Sequence, residues 1–413
     1  MKATLRNFTP FVATLSFLAS LDARTWTDVQ GRKIEADLVS STDTDVTLKL
    51  ASGKDATLPL SKLSAEDQTF IKESAANGSS KDGKADPKPA GKEGDGLNFS
   101  DPWPQTIRFS EDPQIQVVSE DKEQKRFIYE SAHYRFVCDV RLSQQVVKGF
   151  AVMFESTYQY CRALPLGISG GKLTDGKYQI LLFETKDSYV QAGGPPTSAG
   201  VFMSGKNVVM VPLTSLGVRP VGSGYMLDRD QESGTLIHEI THQLTPGQYY
   251  APGAMGWFSE GLAEYTTATP YRAGSFKVKS NFDDIVAYAT AYGKKDSRGR
   301  ALGTEISAPS FKDFCLMSYA QFTGANPNFN YGFGLVLTTY FLHLDGDGDA
   351  KRVKEFLKAL RAGKTREDAL KVLLDGRTYE EMEEAISKGW KRKGVEIKFG
   401  KSSIPSVSDS DDE

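Results

Sequence analysis

The run Ser233-Gly234-Thr235-Leu236-Ile237-His238-Glu239-Ile240-Thr241-His242-Gln243-Leu244 constrains this chain more than any other stretch. Its apolar residues recur at helical spacing and it stops at Pro246-Gly247, which predicts a helix. On a helix, residues i and i+4 lie one above the other, so His238 and His242 can offer two imidazoles to one metal ion, with Glu239 beside them. The chain has only 4 histidines in 413 residues, so composition does not account for two of them at this spacing around a glutamate. A tetrahedral catalytic zinc takes three protein ligands and a water, and this helix supplies two. The candidate third is Glu260, in Trp257-Phe258-Ser259-Glu260-Gly261-Leu262-Ala263-Glu264-Tyr265. The intervening residues suffice to end one helix at Pro246, cross a Gly/Pro/Tyr-rich loop and start a second helix alongside. Glu264, one turn beyond Glu260, shares its face and can accept the other ring N–H of a ligating histidine.

These two segments together resemble the gluzincins, zinc peptidases whose third ligand is a glutamate. The text is closest to the peptidase MA-like group and to the alanyl aminopeptidases, with their Trp-Leu-Asn-Glu-Gly-Phe-Ala block. Ser259 stands where that block has Asn, and the spacing from the histidines is one residue shorter. The resemblance implies Zn2+ as cofactor, a peptide or protein as substrate, and a zincin fold in which a sheet packs on the active-site helix. It also implies that substrate adds in extended form to an open sheet edge. The strand expected over 207–213 is the candidate edge, since Pro212 is acceptable there and not inside a sheet; its other reading is plain core packing. Aminopeptidases of this group carry Tyr-x-x-Gly at the head of a helix, where the tyrosine donates to the oxyanion. Tyr331-Gly332-Phe333-Gly334 matches, with packing as the alternative role of Tyr331. Their Gly-x-Met-Glu-Asn amine-binding segment has no counterpart upstream of His238, which favours an endopeptidase over an aminopeptidase.

The chemistry follows from the residue types. A zinc on His238, His242 and Glu260 lowers the pKa of its water to about 7. Glu239 takes the proton as general base and passes it to the leaving amine. Two other classes stay open: a zinc hydrolase of a non-peptide substrate such as an ester or epoxide, and a non-catalytic binding protein that works through its N-terminal module.

Around this centre the chain divides by composition. Residues 1–23 place Lys2 and Arg6 before the apolar stretch 11–19 and end on Ala23, which reads as a cleavable signal peptide and predicts a secreted or periplasmic protein; a helical or disordered terminus is the alternative. Residues 24–73 hold four short alternating segments separated by turns, predicting a small all-β barrel closed by a short helix from Ser64. The pattern of Trp26, Gly31-Arg32 and Pro59-Leu60-Ser61-Lys62-Leu63-Ser64 resembles the first homology domain of the Sla-type endocytic adaptors, an SH3-like barrel. That resemblance implies a possible short-peptide ligand; a passive spacer is the other reading. Residues 74–98 have almost nothing to bury and read as a flexible linker, as does the acidic tail 401–413.

The second domain, 99–400, is expected to be α+β and zincin-like. Strands are predicted within 127–138 and over 178–183 and 207–213, with a helix over 142–164. Helices follow over 282–292, 311–322, 331–344, 350–362, 365–374 and 378–390, forming a C-terminal helical lobe. His133 and His343 fall within a strand and an apolar helix and read as structural. Asp345-Gly346-Asp347-Gly348-Asp349 starts like a calcium loop but has Phe356 where the twelfth-position carboxylate belongs, so it reads as a turn. Cys138, Cys161 and Cys315 leave two readings, one bridge such as Cys138 to Cys161 or three buried thiols. The net charge of −3 gives no reason to expect nucleic acid. No apolar run of transmembrane length follows the signal segment.

Overall fold

The structure, a computed structural model, describes residues 24–41, 45–50, 55–64, 67–68, 97–109, 112–228, 234–250, 256–291, 299–324 and 326–401. The expected leader 1–23, the linker as far as residue 96 and the tail beyond 401 lie outside them. The chain falls into two compact units, Met1–Lys92 and Glu93–Glu413.

In the first unit the alternating segments form β1 (Arg24–Thr27), β2 (Lys33–Ser41), β3 (Asp45–Leu50) and β4 (Asp55–Pro59), paired in that order as an antiparallel meander. Trp26, Ala36, Val46 and Leu48 are buried with Leu60 and Leu63. The Trp26 indole N–H, its only polar group, donates to the Ala36 carbonyl at 2.8 Å. The closed barrel expected from the sequence is absent: among the described residues β1 and β4 do not pair. Pro59 ends β4 and a 3-10 turn over Leu60–Lys62 makes the return. Leu63 then bridges Asp28, and the Ser64 N–H donates to the Thr27 carbonyl at 2.8 Å. Ser64 Oγ accepts from the Asp67 N–H at 3.2 Å. The helix this cap would open is described only at Asp67 and Gln68.

The second unit is mixed α+β. After β5 (Thr106–Arg108) come β6 (Gln116–Asp121), β7 (Arg126–Glu130), β8 (Tyr134–Cys138), α1 (Gln144–Ala163), β9 (Tyr178–Phe183), α2 (Lys186–Gln191), β10 (Val201–Met203) and β11 (Val208–Pro212). The main sheet has the order β10-β11-β9-β8-β7-β6, with β8, β9 and β11 parallel and the rest antiparallel. A hairpin of β12 (Val218–Val221) and β13 (Gly224–Leu227) leads on to α3 (Thr235–Leu244) and α4 (Gly256–Ala268). The chain continues through β14 (Tyr271–Arg272), β15 (Ser275–Lys277), α5 (Phe282–Thr290), β16 (Glu305–Ala308), α6 (Phe311–Cys315) and α7 (Tyr319–Gly324). It ends in α8 (Pro327–His343), α9 (Lys351–Arg361), α10 (Arg366–Leu374), α11 (Tyr379–Lys391) and β17 (Glu396–Phe399). None of the described helices is long and apolar enough to cross a membrane.

Two expectations change here. The strand over 207–213 is not the sheet edge: β11 pairs with β10 on one side and β9 on the other, and β10 is the edge. Pro212 is tolerated because β10 pairs only with residues from Val208 to Met210, so the missing N–H costs no bond on that side. The helix expected over 311–322 is two, because Ser318 starts a new one. The Ser318 N–H donates to Gln321 Oε1 at 2.9 Å, and its Oγ accepts from the Gln321 N–H at 3.3 Å.

α3 turns Leu236, Ile240 and Leu244 into the core, the i, i+4 spacing of its apolar face. Thr241 Oγ1 and Thr266 Oγ1 are 2.7 Å apart and tie α3 to α4, while Gln243 Nε2 donates to the Gln179 carbonyl at 2.9 Å and ties it to β9. α4 and α8 cross in close contact: a Cβ on Gly261 would lie 2.4 Å from the Gly334 carbonyl oxygen and 2.3 Å from Thr338 Oγ1. Gly261→Ala is therefore expected to destabilise the protein by about 1–3 kcal/mol through overpacking, measured by denaturant unfolding.

The remaining histidines and the cysteines are engaged in packing. His133 lies in the turn before β8, not in the strand. Its Nδ1 is 2.6 Å from buried Glu155 Oε2 on α1, and its ring stacks on Tyr158. His343 Nε2 lies 2.8 Å from the Tyr265 hydroxyl, and its ring meets Trp103 edge-on. Burial pushes His343 down from 6.5 to about 4. It is neutral in the folded protein, whereas the unfolded chain takes up a proton below about 6.5. Stability is thus full above that pH and falls as pH drops towards 4, by roughly 3 kcal/mol. Denaturant unfolding against pH is expected to show this slope in the wild type and to lose that part of it in His343→Gln. Asp345 turns inward to Arg352 Nε at 3.0 Å and forms the turn between α8 and α9. All three cysteines are buried free thiols, so no Cys138 to Cys161 bridge is present.

Candidate metal centre

The three side chains singled out from the sequence meet. His238 Nε2 and His242 Nε2 are 3.0 Å apart, and Glu260 Oε2 lies 3.1 Å from the first and 3.0 Å from the second. Together they form a buried group that could hold a metal ion. Metal bonds of about 2 Å at tetrahedral angles separate neighbouring donor atoms by roughly 3.3 Å, close to these spacings.

The surrounding hydrogen bonds decide which ring nitrogens carry protons. Glu264 Oε1, a carboxylate oxygen, is 3.0 Å from His238 Nδ1, so that nitrogen is the donor. The Tyr250 hydroxyl gives its one proton to the His242 carbonyl at 2.7 Å, so at 3.1 Å it can only accept from His242 Nδ1. Both Nε2 atoms in the neutral rings are therefore lone pairs. A single cation bound by both lone pairs and the carboxylate oxygen satisfies all three at once. A proton satisfies only part of the set, and the effect on the ionisation of the group is plain. Burial alone would lower His238, but Glu260 and Glu264 outweigh it and raise it to about 10. Burial likewise opposes the charge on both carboxylates, yet the histidines hold Glu260 well below its ordinary value, and His238 and Arg300 hold Glu264 down at about 2.

Glu264 thus stands where the sequence placed it, behind His238. Arg300 stands behind Glu264, with Nε at 2.7 Å from Oε2 and an Nη at 2.5 Å from Oε1, a two-pronged ion pair. The guanidinium also covers the Tyr331 ring, 5.0 Å from its centroid. For a metal ion held by these three residues, Arg300→Met is expected to weaken binding about 10–100-fold, read by competition with a chelator, because Glu264 loses the partner that fixes it against His238.

Glu239, next to His238, points towards the sheet edge: its Oε2 accepts from the Phe202 N–H of β10 at 2.8 Å. Since that N–H leaves the ladder to β11 and reaches Glu239, the Glu239 carboxylate lies on the open side of the edge strand. Tyr331 lies one turn into α8, not at its head, and its ring packs against His238 with centroids 5.9 Å apart. Burial and the charges of Glu260, Glu239 and Glu264 push its phenol up, so it stays protonated. Among the described residues its hydroxyl has no hydrogen-bond partner. Tyr319 has one: its hydroxyl donates to Glu260 Oε1 at 2.9 Å.

Sequence reasoning missed Arg300, Tyr319, Tyr250 and the Phe202 N–H. Tyr250 alone left a signal, as part of the Tyr-rich stretch after Pro246.

The chain is thus a protein of two units, a small four-stranded module followed by an α+β unit. Residues 19–78 match the family model of SLA1 homology domain 1, so the N-terminal module is of the Sla type. No curated protein matches the chain.

Proposed function

We propose that this chain is an exported zinc-dependent peptidase in which His238, His242 and Glu260 hold the metal and Glu239 is the general base. The observation that carries the proposal is the buried set of three mutually facing acceptors, with the Glu239 carboxylate on the same helix and directed at an open sheet edge. Zinc, when bound, supplies a Lewis acid that brings a water towards a pKa of about 7. Glu239 takes the proton and delivers it to the leaving amine. The Phe202 N–H holds the Glu239 carboxylate beside β10, so an extended peptide lying along that edge passes the base. Tyr331, kept protonated by its surroundings, donates to the developing oxyanion.

Endopeptidase action is favoured over aminopeptidase action. Glu260 is engaged by both histidines and Tyr319, and Glu264 by His238 and Arg300, so neither is left to hold a substrate's terminal amine. For the N-terminal module we propose a short peptide ligand. The test of the catalytic proposal is cleavage of a peptide library with mass-spectrometric mapping of the cuts, Glu239→Gln as control. Internal cuts by the wild type alone support it; a purified protein with no zinc by elemental analysis removes it.

A further inference from the structure

We infer that Tyr319 is a positioning residue for the metal centre, its hydroxyl restricting Glu260 to one coordinating oxygen so that one side of the ion stays open. This rests on the proposal above that a metal binds there. A carboxylate can offer a metal one oxygen or two. Here Glu260 Oε2 faces the two histidines, while Oε1 accepts from the Tyr319 hydroxyl at 2.9 Å. With Oε1 so occupied, Glu260 contributes a single ligand atom and the place a second oxygen would fill is kept for water and substrate.

The placement of Tyr319 suits that task. Glu260 is 2% exposed, yet Tyr319 is 57% exposed, so the phenol reaches the carboxylate from the solvent side. The residue does not swing freely. It opens α7, whose start is fixed by Ser318 and Gln321. Further along α7, Phe322 is fully buried, packs 5.6 Å from the Tyr331 ring and abuts Gly256 at the start of α4. The Phe322 carbonyl accepts from Asn330 Nδ2 at 2.7 Å. The segment carrying Tyr319 is therefore pinned to both the helix of Glu260 and the helix of Tyr331. The two tyrosines divide the work: Tyr331 stacks on a ligand ring, and Tyr319 holds a ligand carboxylate by a hydrogen bond.

The experiment loads the full chain with cobalt(II) and compares wild type, Tyr319→Phe and Tyr331→Phe by visible absorption and by cobalt titration. Removing one hydroxyl from a largely exposed ring keeps its packing, and thermal unfolding of the metal-free proteins checks this. In Tyr319→Phe the freed Oε1 can join the ion, so the bands are expected to weaken as four-coordination gives way to five, with cobalt affinity changed about 10-fold or more. Tyr331→Phe is expected to leave the spectrum as in the wild type. A Tyr319→Phe spectrum and affinity matching the wild type overturn the inference, and so does an equal change in both variants. A wild type that takes up no cobalt instead removes the metal proposal itself.

Discussion

Under the proposed peptidase mechanism, Glu239→Gln is expected to bind zinc at the wild-type stoichiometry and to hydrolyse peptide about 10²–10⁴-fold more slowly, the contribution typical of a positioned general base. The two side chains have nearly the same shape. A glutamine carbonyl oxygen can still accept from the Phe202 N–H, so the contact at 2.8 Å between α3 and β10 survives. What the amide cannot do is take a proton from water. The ligand atoms of His238, His242 and Glu260 are untouched by the change. Elemental analysis and kcat on the same preparation check both halves. Wild-type turnover in this variant would move the role of base elsewhere, whereas loss of zinc would mean that Glu239 helps to hold the site together.

His242→Ala is expected to lose the metal altogether. The substitution leaves His238 Nε2 and Glu260 Oε2, 3.1 Å apart, as a pair that one proton can bridge. Such a pair no longer demands a divalent ion. A metal bound only by the folded state stabilises it by roughly 4 kcal/mol when free metal exceeds Kd about 1,000-fold. For a domain of this size that corresponds to a Tm shift on the order of 10 °C. The wild type is therefore expected to lose Tm when a chelator is added, while His242→Ala starts near the chelated value and does not respond. A chelator shift of equal size in both proteins would show that the stabilising ion binds somewhere else.

The parts of the centre legible in the sequence are those set by helical spacing. His238 and His242 share a face by being four apart, and so do Glu260 and Glu264, and the structure brings all four together. Arg300 and Tyr319 were not legible because they arrive from separate parts of the chain, with no period linking them to their partners. The Phe202 contribution is a backbone N–H, which any residue but proline supplies, so no letter marks it. The edge strand differs from expectation for a related reason. β10 has only three residues, lying between Gly200 and Gly205, too few to leave an alternation, whereas Pro212 points to β11. In the first unit the strand segments were legible from alternation. How the end of β4 returns to β1 depends on one turn after Pro59, which alternation does not encode.

The close crossing at Gly261 and Gly334 has a consequence for anyone wishing to alter the surroundings of Glu260 and Tyr331. The helix bearing Glu260 and the helix bearing Tyr331 touch backbone to backbone, so their separation is already at its minimum. Every other residue at Gly261 can only widen it, and widening moves a ligand and a phenol together. That crossing is rigid to sequence drift. Room for change lies along β10, where the Val201, Phe202 and Met203 side chains are only partly buried and can be exchanged without touching the crossing.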